Sequence, residues 1–184
     1  MTRLIPLLAA LPVLAACAAP GPASVPVPQA LAPSACAERL AETERVLAAA
    51  QSPEDELRAA PWVALATAEA LGRCPDLAAP DGALLRLGNA ALFAGQYWLA
   101  REAFAELSAR FPDSGFNFED VGGRRAALLE ACGARVEELD AYRLGLLDAR
   151  YGRAEDARRR LGRAGRSPCP PLAEAAREAL SAVR

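Results

Sequence analysis

Four of the five cysteines, all but Cys17 in the N-terminal segment, constrain this chain more than any other feature. Cys36 and Cys74 stand 38 residues apart, and Cys132 and Cys169 stand 37 apart. Each interval has the length of one helical hairpin with its turn. Such a hairpin places the first cysteine near the start of one helix and the second near the end of its antiparallel partner, side by side. Of the three pairings that four cysteines allow, the spacing favours Cys36–Cys74 and Cys132–Cys169. A chain-entropy estimate assigns each closed loop about 4 kcal/mol, an upper figure because strain is ignored. A metal or redox centre fits less well, since there is no Cys-x-x-Cys and no pair is close in sequence.

Helices are also what the composition allows. Alanine makes up about a quarter of the 184 residues, and Val, Ile and Thr together number about a dozen. Strands draw on β-branched and aromatic residues, so an all-α chain is expected. All 21 basic residues are arginine, and there is no histidine. This excludes Ser-His and Cys-His dyads, histidine metal ligands, the P-loop lysine and Schiff-base chemistry. No metal, cofactor or catalytic residue is expected.

The N-terminus reads as an export signal. Arg3 precedes a short apolar run, Leu4 to Leu14, interrupted by Pro6 and Pro12. The run is shorter than the roughly 20 apolar residues a membrane-spanning helix needs. Leu14-Ala15-Ala16-Cys17 follows and resembles a bacterial lipobox. The resemblance implies cleavage after residue 16, acylation of Cys17 and, with Ala18 next, delivery to the outer membrane facing the periplasm. Residues 17–33 carry Pro20, Pro22, Pro26, Pro28 and Pro33. They read as a semi-extended tether reaching up to roughly 45 Å at about 3 Å per residue. Export removes the obstacle to disulfide formation.

Residues 34–184 read as the folded domain, a series of punctuated helices. Ser34 is expected to cap a helix to about residue 51. Ser52, Pro53 and Asp55 form an N-terminal signature, and Pro61 is expected to split the following segment into a turn and a helix over 61–72. Asp81 is expected to cap a helix over 82–94, followed by helices at 96–110, 117–131 (capped by Asn117), 135–151, 153–164 and 171–183.

Leu87-Gly88, Gly95, Tyr97, Ala100, Phe104 and Pro112 resemble a tetratricopeptide repeat. Small residues let the two helices approach, Gly95 turns the chain, and the large residues fill the interface. Leu144-Gly145, Gly152, Ala157, Leu161 and Ala164 repeat the spacing about 57 residues on, with Ala154 where the first copy has Tyr97. An uninterrupted array repeats about every 34 residues, so about 23 residues, holding one helix, are inserted. The resemblance implies a short right-handed solenoid of helical hairpins, stapled by the two disulfides, with the 36–74 hairpin as a cap.

The resemblance also implies a groove lined by the first helix of each repeat: Leu85, Arg86, Asn89, Leu92 and Phe93 from one copy, Tyr142, Arg143, Leu146 and Arg150 from the other. Its arginines suit a peptide bearing acidic groups. A carboxylate clamp is matched only in part, since Leu85 stands where a cation is expected one turn before Asn89. The run Arg158-Arg159-Arg160 with Arg163 and Arg166 reads either as an anionic-partner surface or as a solvated helix face. Phe111, Phe116 and Phe118 read as packing for the inserted helix or as a partner contact. No Glu-Ser dipeptide of the lytic-transglycosylase type occurs.

The expected function is a non-enzymatic, lipid-anchored scaffold or assembly factor for an envelope complex, such as outer-membrane assembly, secretion or a pilus. Its partner would be an envelope protein or peptide segment, with the membrane met through the lipid and no nucleic acid bound. A structural organiser linked to cell-wall synthesis or division is the alternative, with a cell-wall hydrolase a remote third.

Overall fold

A computed structural model describes residues 29–116, 121–133 and 135–183. The signal segment, Cys17, the tether up to residue 28, Asn117 and Phe118 lie outside the described residues.

The described chain is all-helical: α1 (Pro33–Ala49), α2 (Pro53–Arg73), α3 (Pro80–Phe93), α4 (Tyr97–Arg110), α5 (Val121–Glu130), α6 (Val136–Arg150), α7 (Ala154–Ala164) and α8 (Pro170–Ala182). Successive helices pack as antiparallel hairpins, α1 on α2, α3 on α4 and α6 on α7. The packing does not stop at neighbours. Helix α8 meets α5, α6 and α7, and α6 reaches back to α2. The helices thereby pack around a main core running from Ala60 and Val63 through Phe93, Phe104 and Tyr142 to Leu172, with a smaller cluster around Cys36, Ala70 and Cys74. An open stack of hairpins would not require those return contacts.

Both disulfides join the expected partners, with Cα–Cα distances of 5.9 Å for Cys36–Cys74 and 6.0 Å for Cys132–Cys169. The first ties the opening turn of α1 to the end of α2. The second brackets the α6–α7 hairpin from outside and joins the end of α5 to the start of α8.

Several starts differ from expectation. Proline rather than a polar cap opens α1, α3 and α8, because a first-turn proline has the right φ and its missing N–H is not needed there. Ser34 and Asp81 therefore lie inside the first turn. Asp81 accepts hydrogen bonds from the Ser114 hydroxyl (2.8 Å) and the Gly82 N–H (2.8 Å), which, the first chiefly, hold its carboxyl below the usual range. The Ser52 cap is as expected: its hydroxyl accepts from the Asp55 N–H at 3.1 Å. Pro61 does not break α2, which runs through it. The proline is solvent-exposed, so water can serve the Leu57 carbonyl that loses its helical donor.

The two repeat hairpins share one turn. Gly95 and Gly152 have φ of 77° and 73°. Gly95 N–H bonds Leu92 and Gln96 N–H bonds Ala91; Gly152 N–H bonds Ala149 and Arg153 N–H bonds Asp148. Both turns are Schellman motifs. Close approach is matched too. A Cβ on Gly88 would lie 2.7 Å from the Phe104 ring, and one on Gly145 would lie 2.8 Å from Leu161. Ala100 and Ala157 are both fully buried.

A prediction separates the two turn glycines. At Gly152 a Cβ meets nothing, so Gly152→Ala loses about 1–2 kcal/mol of backbone energy alone. At Gly95 a Cβ would lie 2.7 Å from Arg143 Nη1, the group that donates to the Phe93 carbonyl. Gly95→Ala should therefore cost more in urea unfolding; equal losses would show that the Arg143 contact contributes nothing.

Candidate partner-binding groove

Five of the nine expected groove residues come together. Leu85, Arg86, Asn89 and Phe93 on α3 and Arg150 at the end of α6 line one cavity of about 310 Å³. Its remaining wall comes from Leu47 of α1, Glu56 and Ala60 of α2, Ala90, Gly82 and Phe116. The cavity is thus a cleft of α3 with the first hairpin, closed at one end by α6.

Four expected residues do not line it. Leu92 and Tyr142 are buried in the core, at 3% and 0% exposure. The close approach of α3 and α6 to their hairpin partners turns both inward. Leu146 packs against that core. Arg143 donates to the Phe93 carbonyl (2.9 Å) and pairs with Asp140. It therefore closes the C-terminal end of α3, where a cation meets unpaired carbonyls and the negative end of the helix dipole.

The arginines at the groove are already paired. Arg86 donates to the Thr43 hydroxyl (3.0 Å) and to Glu44 (2.5 Å). Arg150 pairs with Glu56, and its guanidinium lies 5.1 Å from the centre of the Phe93 ring. Glu56 is only 8% exposed, so this pair forms a polar end to an otherwise apolar floor. Asn89 is solvent-exposed at the mouth.

Glu56, Ala60 and Leu47 escape the sequence reading, whereas Phe116, read from sequence as packing or a partner contact, lines the cleft. Treating the first hairpin as a detached cap removed α1 and α2 from the groove. The capping signature at Ser52 does place Glu56 in a first turn, and the phenylalanine cluster after α4 marks Phe116 as a surface to be covered. Phe116 sits over Gly82, 3.6 Å from where a Cβ would stand.

The arginine run of α7 is largely used inside the chain. Arg159 pairs with Asp156, Arg163 with Glu137, and Arg160 with Glu54 and Asp148. Among the described residues, no three His, Cys, Asp or Glu side chains gather as a metal site, and no helix is long and apolar enough to cross a membrane. Comparison with protein-family models, curated proteins and solved structures finds no match to this chain.

Proposed function

We propose that this chain is a non-enzymatic binding module of the tetratricopeptide-like type. It is anchored by an acylated Cys17 to the outer membrane, faces the periplasm, and holds or helps assemble an envelope protein complex. The observation that carries the reading is the repeated hairpin. Two hairpins share the same turn and the same glycine–large-residue approach, and α3 of one forms with α1 and α2 a cleft with an apolar floor, which Arg150 of the other also lines. Exposed apolar clefts of this kind serve binding. The two disulfides favour an oxidising compartment, which agrees with the lipobox-like Leu14–Cys17.

The location is tested by mass spectrometry of the mature protein from membranes. The expected N-terminal residue is an acylated Cys17; a free N-terminus at another residue would overturn the lipoprotein reading while leaving the groove untouched.

A further inference from the structure

We infer that the groove takes a short, uncharged, apolar segment of its partner and discriminates against acidic segments. This rests on the reading of the cleft as the partner site, and it reverses the expectation that the arginines recognise acidic groups. The argument is one of charge. Arg86 and Arg150 both line the cleft, and each already holds a carboxylate of this chain, Glu44 and Glu56. The third cation of the expected groove, Arg143, is used on α3 and Asp140.

An arriving carboxylate would have to compete with the exposed Glu44 at Arg86 or displace the nearly buried Glu56 at Arg150, or sit beside one of them and desolvate a second negative charge. The apolar lining is Leu47, Ala60, Leu85, Ala90 and Phe93 with Phe116. Asn89 adds one amide donor and one acceptor at the mouth, complementary to a peptide group and carrying no net charge. A cavity of 310 Å³ lies at the small end of ligand pockets, which span roughly 300–1,000 Å³. It has room for apolar side chains of a short segment, not for a folded partner.

The test uses the full chain carrying Cys17→Ser, so that acyl chains do not compete, and two pools of short peptides that are N-acetylated and C-amidated. In one pool leucine or phenylalanine alternates with serine; in the other aspartate or glutamate replaces the serine. Binding is followed by NMR shifts of Leu85, Asn89 and Phe93. The neutral pool should bind at the groove, with affinity changing less than about twofold between low and high salt because no net charge is screened. Asn89→Ala, at an exposed position, should weaken binding by about fivefold, the worth of one hydrogen bond. Leu85→Glu should weaken it more than about tenfold. Tighter, salt-sensitive binding of the acidic pool would overturn this inference and leave the groove standing as the site. Failure of both pools to shift groove residues would overturn the groove reading as well.

Discussion

Replacing Arg160 with alanine should lower the unfolding free energy by about 3 kcal/mol, the low end of the cost of stranding a buried charge. Asp148 is fully buried, with Oδ2 3.2 Å from Arg160 and Oδ1 3.6 Å from Arg153. Arg160 also holds Glu54 at 2.9 Å, so the same guanidinium ties α7 to both α6 and the start of α2. Without it, Asp148 keeps only the longer contact to Arg153.

The α3–α4 hairpin shows what the site looks like without charge. The positions matching Asp148 and Arg160 there are Ala91 and Ala103, both buried. The double variant Asp148→Ala with Arg160→Ala copies that arrangement and should recover most of the loss, to within about 1 kcal/mol of the parent. Additive losses in the double variant would contradict a direct coupling.

The pH dependence has a defined sign. Burial raises the Asp148 carboxyl above its usual value, with Arg160 opposing. A carboxyl raised on folding adds stability below its unfolded value and loses it as pH rises through its folded value. The Arg160→Ala deficit should therefore shrink as the solution is acidified. Glu54 adds to the same trend: its carboxyl is lowered chiefly by the hydrogen bond from Arg160, so that contribution is present above the unfolded value and lost in acid. Urea titrations of parent and variant across the carboxylate range should show the deficit falling toward acid; a deficit that grows in acid would contradict both assignments.

The second large effect is expected at Cys132 and Cys169. Replacing both with serine reopens a 37-residue loop, worth about 4 kcal/mol in the unfolded chain and roughly 8–16 °C in Tm for a domain of this size. The location of the damage identifies the bond's role. It joins α5 to α8, the helices whose contact closes the bundle. Hydrogen exchange should therefore accelerate along α8 and α5. Loss of Cys36–Cys74 should instead loosen α1 and the C-terminal end of α2. Identical exchange patterns in the two variants would show that neither bond acts locally.

Much of the fold was legible in local sequence. The cysteine spacing identified both pairs, and glycine and phenylalanine positions identified the α3–α4 hairpin, because close approach leaves few residue types that fit. The same pattern found α6–α7 despite the absence of a tyrosine at Ala154. Closure of the helices was not legible. It brings together segments far apart in sequence, such as Arg153 and Glu54, about a hundred residues apart, and it buries Asp148, which reads as an ordinary polar helix position. Pro61 misled because proline disfavours a helix interior in general, whereas its cost depends on which side of the helix it faces. Of the groove residues chosen by repeat analogy, Leu85, Arg86, Asn89 and Phe93 line the cleft, whereas Leu92 and Tyr142 are buried, because their orientation follows from tertiary packing.

The most direct test of the central claim places a photo-crosslinking p-benzoylphenylalanine at position 89, in the groove, or at position 98 on α4, where Trp98 is 59% exposed. Irradiated cells should yield a crosslink from position 89 to an envelope protein, and adding Leu85→Glu should abolish it. A crosslink from position 98 with none from position 89 would contradict the account and move partner binding to the opposite hairpin helix.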